Sequence, residues 1–174
     1  GRDFFERVQA ITPRMPVVVV KGGRTSGGQR AAASHTGSLA SDDRIFDGMA
    51  RQAGMSRAPS IEAAFDLAAT FATQPLPAGN QVVVLTTAGG WGVVAADAVT
   101  THPSLELAPL PKDLLTAIDS MLPPRWSRNN PVDLAGGETR DTIPELLDLV
   151  AGHHSVDAII QLGLGIQGNT AALT

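Results

Sequence analysis

One imidazole set in a run of small residues is the first place where this sequence offers chemistry. His35 stands in Ala33-Ser34-His35-Thr36-Gly37-Ser38, and nothing bulky crowds its ring. The stretch before it, Lys21-Gly22-Gly23-Arg24-Thr25-Ser26-Gly27-Gly28, reads as a Gly-rich loop whose backbone is free to bend or swing. Near neutral pH an imidazole serves as nucleophile, acid–base group or metal ligand. No partner stands at metal-ligand spacing, so a metal role is not expected. No Gly-x-Ser-x-Gly elbow is present, so Ser34 and Ser38 read as hydroxyl donors to a phosphate rather than as nucleophiles. From spacing alone, an ordinary histidine in a surface loop explains the segment as well.

A second constellation is Thr86-Thr87-Ala88-Gly89-Gly90-Trp91-Gly92, a turn that follows a strand and leads into a helix over 93–101. Such a junction exposes backbone N–H groups at the positive end of the helix dipole, and glycines let a phosphate come close. It has neither the Lys-Ser/Thr of a P-loop nor the Gly-x-Gly-x-x-Gly of a dinucleotide site. Phosphate binding and a plain tight turn with close helix–sheet packing are both open. Trp91, at the helix start, either packs into the core or shields an anion site, packing being the favoured expectation, and Trp126, next to Pro123-Pro124, is expected to plug the core. Asp133, in the loop Asn129 to Gly137, either lines a crevice at the strand ends or closes its own loop as an Asx-turn. His102, His153 and His154 lie near helix ends and read as surface residues.

The elements that position these groups follow from apolar periodicity. Phe4, Phe5, Val8 and Ile11 mark a helix that Pro13 ends, and Met15 to Val20 reads as a buried parallel strand. Ser41 is expected to cap a helix with Asp42 and Asp43 in its first turn and Ile45, Phe46, Met49 and Ala53 inward. A short strand near Met55 to Arg57 follows. Ser60 caps another helix, with Ile61, Ala64, Phe65, Leu67, Ala68 and Phe71 inward. Gln74-Pro75-Leu76-Pro77-Ala78-Gly79-Asn80 is a linker. The pattern then restarts: a strand over 81–87, a helix over 93–101, a strand at Leu105–Leu107, a helix from Pro111 to Leu122 and one from Asp141 or Thr142 to Val150. A last strand runs over 156–162. Alternating strands and helices imply an α/β fold with parallel sheets. The expected domains are residues 1–73, a linker at 74–80, and residues 81–174. The sequence opens inside a helix and stops after a strand, so both modules are expected to be truncated.

Composition narrows the classes further. The chain has 174 residues, 43% hydrophobic and 17% charged, with a net charge of −4. No basic footprint for nucleic acid exists, and no apolar run reaches a membrane span. Cysteine is absent, which excludes disulfide and thiolate chemistry and fits a cytoplasmic location.

Four segments in order carry a resemblance. Pro16-Val17-Val18-Val19-Val20-Lys21-Gly22-Gly23-Arg24, Ala33-Ser34-His35-Thr36-Gly37-Ser38-Leu39-Ala40, Thr87-Ala88-Gly89-Gly90-Trp91-Gly92-Val93 and Asn130-Pro131-Val132-Asp133-Leu134 closely resemble the NDP-forming acyl-CoA synthetases, relatives of succinyl-CoA synthetase. The resemblance implies two flavodoxin-like modules. It makes His35 the phosphorylated residue, with Ser34, Thr36, Gly37, Ser38, Gly89, Gly90, Trp91 and Gly92 around the phosphate. Asn130 and Asp133 form a supporting loop, and no metal ligand is assigned. It implies that acyl-CoA and phosphate give acyl phosphate and CoA, and that the phosphoryl group passes through histidine to ADP. The complete enzyme would use CoA, ADP or ATP, Mg2+ and phosphate. CoA-binding and ATP-grasp domains, on the same chain or a partner subunit, are the expected partners, in an oligomer. In two-subunit members the second module is expected on the β chain. Two departures stand out: Gly22 replaces a usual Ser or Ala, and Trp91 stands where Pro is common. The glutamate that orients the histidine matches no residue here, so the segment is not expected to turn over alone. The alternative is a non-catalytic ligase-like region of a protein acetyltransferase.

Overall fold

The computed structural model describes residues 1–36, 42–136 and 141–163. The chain divides into two units, Gly1–Leu76 and Pro77–Thr174.

The first unit contains α1 (Arg2–Ile11), β1 (Val18–Val19), α2 (Ser26–Thr36), α3 (Asp43–Gln52), β2 (Ser56–Arg57) and α4 (Ile61–Thr73). β1 and β2 pair in parallel, Val18 opposite Ser56 and Val19 opposite Arg57. A small core of Val8, Ala50, Ala53 and Met55 is covered by Phe5, Val17, Val19, Phe46 and Met49. The ends of α1 and α3 are tied together. The Thr12 hydroxyl donates to the Ala53 carbonyl at 2.6 Å. Gly54 turns beside it at φ 71°, a conformation that favours glycine.

Several sequence expectations change here. The strand expected over Met15–Val20 pairs only at Val18–Val19. The Gly-rich stretch is not a loop throughout: Gly27 and Gly28 form the first turn of α2, where the Thr25 hydroxyl accepts from the Gly28 N–H at 3.2 Å. Asp42, not Ser41, caps α3, its carboxylate accepting from the Arg44 N–H at 2.8 Å; Ser41 lies outside the described residues. Ser60 does cap α4, accepting from Ala63 N–H at 3.2 Å, but no residue of that helix is buried. Ile61 and Phe65 are exposed, as is Ile45 on α3. Periodicity records an amphipathic helix; a two-stranded sheet is too small to cover its apolar face.

The second unit is built on β3 (Gln81–Thr86), with α5 (Gly89–Thr101), β4 (Glu106–Leu107), α6 (Lys112–Met121), β5 (Val132–Asp133), α7 (Thr142–Ala151) and β6 (Ala158–Leu162). β6 runs along one edge of β3, from Val82 opposite Ala158 to Thr86 opposite Leu162. The other edge is shared: β4 pairs with its start and β5 with its end. All four strands are parallel, as continuous apolar runs covered on two faces demand. Val83, Leu85, Leu114, Ile118, Val132, Leu134, Leu146 and Val150 form the core. Trp126 closes it at 3% exposure, its Nε1 donating to Asp119 at 2.8 Å. That bond, and then Arg128, hold the Asp119 carboxyl below the usual carboxylate range.

The break between β4 and β5 exposes ladder groups of β3, and Asn130 fills it. Its Oδ1 accepts from the Val84 N–H at 2.9 Å, and its Nδ2 donates to the Val82 and Ala108 carbonyls at 2.8 and 2.9 Å. At 5% exposure this amide replaces a missing stretch of strand.

Candidate anion site at the start of α5

The helix after β3 begins earlier than its sequence suggests. Gly89, Gly90, Trp91 and Gly92 are its first turn, not a turn before it. Two residues make this geometry possible. Thr86, fully buried at the end of β3, donates its hydroxyl to the Ala88 carbonyl at 2.8 Å and accepts from the Ala88 N–H at 2.9 Å. Gly92 lets the helix lie against the sheet: a Cβ there would stand 2.9 Å from Thr86 Cγ2 and 3.2 Å from Pro131 Cβ. The Trp91 and Gly92 N–H groups return to the Ala88 carbonyl at 2.9 and 3.3 Å. Among the described residues the Gly89 and Gly90 N–H groups have no acceptor. They are free donors at the positive end of a 13-residue helix, at the carboxyl ends of parallel strands. Gly92 thus serves the close helix–sheet packing of a tight turn. Trp91 does not pack inward as expected. It is 54% exposed, because the third position of α5 faces away from the sheet.

Asp133, at the end of β5, meets this helix start. Its Oδ1 accepts from the Ala135 N–H at 3.0 Å, the local turn that its position suggested. Its Oδ2 lies 2.5 Å from where a Gly89 Cβ would stand, so a side chain at position 89 would have to displace the carboxylate. The loop that carries Asp133 is fixed by residues the sequence did not single out. The Ser127 hydroxyl donates to the Pro131 carbonyl at 2.6 Å and accepts from the Asp133 N–H at 3.0 Å. Arg125 donates to the Ala135 and Gly136 carbonyls at 2.9 and 3.2 Å. Arg128 and Ala135 hold left-handed φ values of 48° and 55°, a strained arrangement that these bonds support. Asn130 belongs to the same loop but faces the sheet, so its support is structural. Nothing in the spacing of Arg125 or Ser127 signals their part; Thr86, just before the glycines, had a positional signal.

In the first unit, His35 and Thr36 fall in the last turn of α2. Their side chains, and Gly37 and Ser38 entirely, lie outside the described residues. Ser34 is exposed, its hydroxyl turned back to the Ala31 carbonyl at 2.8 Å. At the other end of α2, Asp43 draws three cations: Arg57 at 2.6 Å, Lys21 at 3.7 Å and Arg24 at 3.8 Å. Arg57 also holds Asp47 at 3.1 Å. The hydrogen bond from Arg57 is the main reason that the Asp43 carboxyl lies below its ordinary range. Lys21 and Arg57 both lie over the Phe46 ring, at 5.7 and 5.6 Å from its centroid.

His153 is not the surface residue expected. Its side chain is 13% exposed, and its ring joins Ser155 Oγ at 2.8 Å and Asp113 at 3.3 Å across α6 and α7. His102 and His154 are exposed.

Among the described residues no group of three His, Asp or Glu side chains could hold a metal ion, and no helix is long and apolar enough to cross a membrane.

Comparison with known proteins matches the succinyl-CoA ligase like flavodoxin domain to residues 1–71 and the ligase-CoA domain to residues 82–165. The α subunit of an ADP-forming acetate–CoA ligase (II) of Pyrococcus furiosus is 37% identical over 162 residues. The chain belongs to the NDP-forming acyl-CoA synthetase family. An ADP-forming 4-hydroxybutyrate–CoA ligase of Nitrosopumilus maritimus is 34% identical over 164 residues. Each match takes in 93% of this chain, but only 35% and 23% of those relatives. A solved structure of the dinucleotide forming acetyl-coenzyme A synthetase 1 of Candidatus Korarchaeum cryptofilum, in complex with phosphate and ADP, superposes with a TM-score of 0.88 at 32% identity. It covers 99% of this chain and 39% of that one. The α/β architecture and the family expected from the four motifs are thus both found. One expectation needs correcting: the Pyrococcus match runs through both modules within one α subunit, so the second module is not confined to a β chain in two-subunit relatives.

Proposed function

We propose that this chain is the phosphohistidine-carrying part of an NDP-forming acid–CoA ligase. The observation that carries the reading is a histidine in the Ser34-His35-Thr36-Gly37 motif in the same chain as a helix start with free Gly89 and Gly90 amides. The relatives named as ADP-forming ligases, and the solved relative that holds phosphate and ADP, support it. Acyl-CoA and phosphate give acyl phosphate and CoA. A neutral His35 nitrogen then attacks phosphorus, the acyl carboxylate leaves, and the phosphoryl group waits on the ring until ADP accepts it. An acceptor on the second ring nitrogen fixes the tautomer. The Gly89 and Gly90 N–H groups offer fixed donors to phosphoryl oxygens and need no reorganisation as charge moves. Ser34, Thr36, Gly37 and Ser38 complete the phosphate surroundings, Trp91 and Gly92 extend the helix start, and Asn130 and Asp133 hold the loop beneath it. CoA, nucleotide and Mg2+ bind to CoA-binding and ATP-grasp parts outside this segment. The domains of this reading are residues 1–73 and 81–174 with a linker at 74–80.

The test is ATP formation from acyl-CoA, ADP, phosphate and Mg2+ by the polypeptide that contains this segment together with its nucleotide-binding part. ATP formation that His35→Asn abolishes supports the reading. Equal ATP formation by the variant, or no ligase activity in a protein that acetylates others, contradicts it.

A further inference from the structure

We propose that Asp43 is a positioning residue for His35, fixing the base of the helix that carries the histidine at its far end. The inference rests on the reading of His35 as the phosphoryl carrier and adds what holds it in place. α2 starts at Ser26 and has His35 in its last turn, about 14 Å further along the axis. The chain passes from β1 to α2 through Lys21 and Arg24, and α3 opens with Asp43. The Asp43 carboxylate meets both cations: Oδ1 lies 3.7 Å from Lys21 Nζ and Oδ2 3.8 Å from Arg24 Nε. Oδ1 also accepts from Arg57 at 2.6 Å, and Arg57 is anchored in the sheet opposite Val19. One side chain thus ties the approach to α2 to the sheet. The first turn of the helix is seated as well, since a Cβ on Gly28 would stand 3.2 Å from Gly23 Cα.

The charge of Asp43 is what this arrangement needs. Lys21 and Arg57 share the Phe46 ring, at 5.7 and 5.6 Å from its centroid. Their side chains are 11% and 15% exposed, so salt screens their repulsion little. Asp43, in contact with both, turns that repulsion into attraction. With the carboxylate gone, Arg57 stays in β2, still held by Asp47 at 3.1 Å, and Lys21 is the cation that yields. A tilt of about 10° at the base of α2 carries the His35 backbone by about 2 Å. A misplacement of about 1 Å can slow a reaction about a hundredfold.

The experiment uses the ligase polypeptide that contains this segment and its nucleotide-binding part. The protein is labelled to completion with ATP and Mg2+, freed of nucleotide, and mixed with ADP at several concentrations. Loss of label is followed as the N–P bond breaks and an ADP oxygen takes the phosphoryl group. The rate per labelled histidine counts only folded molecules, so lost stability does not move it. Asp43→Asn should lower the limiting rate about tenfold to a hundredfold with half-saturating ADP unchanged. Lys21→Met keeps a stem over Phe46, loses the cation, and should slow transfer in the same way; it decides the matter if Asp43→Asn does not fold. Asp47→Asn removes the second carboxylate on Arg57 and leaves the Lys21 and Arg24 contacts alone, so it should transfer like the wild type. Wild-type rates in Lys21→Met and in a folded Asp43→Asn would overturn the proposal. So would an equal slowing in Asp47→Asn, or a change confined to half-saturating ADP. If the wild type takes no label on His35, the phosphohistidine reading itself falls and the inference falls with it.

Discussion

Replacing Asn130 with alanine removes one amide and leaves β3 with an unfilled gap. The Val84 N–H loses its acceptor in a residue that is fully buried, and the Ala108 carbonyl loses a donor. The Val82 carbonyl is spared, because the Ala108 N–H still reaches it at 2.9 Å. Two groups thus lose a partner, and a buried polar group left unmade costs about 1–3 kcal/mol. The expected loss is about 2–4 kcal/mol, enough to lower the thermal midpoint of a unit this size by about 10 °C or more. Asn130→Asp separates hydrogen bonding from shape. The acid form can donate to one carbonyl, whereas the carboxylate faces the Val82 and Ala108 oxygens. Folding therefore raises the pKa of this Asp above its unfolded value. The native chain then binds more protons between the two values, and stability falls as pH rises through that window. Urea unfolding followed by far-ultraviolet circular dichroism, at several pH values, measures both effects. A cost below about 1 kcal/mol for alanine, or a pH-independent cost for aspartate, would refute the claim that this amide stands in for a strand.

Other outcomes follow from the same geometry. Gly92→Ala places a methyl 2.9 Å from Thr86 Cγ2 and should cost about 1–3 kcal/mol. Gly90→Ala meets nothing within 4 Å and should leave stability unchanged or raise it by up to about 1 kcal/mol, as paired denaturation curves will show. Trp126→Phe removes the bond to Asp119, so the variant should be less stable by a margin that narrows in acid. The folded Asp119 value is depressed, so its contribution is present above the ordinary carboxylate range and fades as pH falls through the lower folded value. Arg57→Leu should shrink the acid sensitivity of the first unit for the same reason, because Arg57 is the main cause of the depressed Asp43 value; proteolysis rates across pH read this out.

Much of the second unit was legible in the sequence. The runs at β3 and β6 are apolar on both faces, and Leu114, Ile118, Leu146 and Val150 recur at helical spacing; both patterns are properties of the chain itself. The Ser60 cap and the Trp126 plug were legible for the same reason. What the sequence hid depends on neighbours. Gly27 and Gly28 suggest a loop, but the Thr25 hydroxyl caps them and three alanines after Arg30 carry the helix on. The apolar stripe of α4 has the right period and lies uncovered, since period says nothing of what lies opposite. Asn130 reads as a loop residue because the gap between β4 and β5 exists only in three dimensions. Asp133 was legible as a candidate, though its pressing against Gly89 was not.

The central claim is that His35 is the residue that carries the phosphoryl group. The most direct measurement is mass-spectrometric mapping of phosphate on this segment within its ligase polypeptide, after incubation with ATP and Mg2+ and without acid. The account predicts a single acid-labile phosphoryl group on His35 that ADP removes. Phosphate on any other residue, or label that persists in His35→Ala, would contradict it.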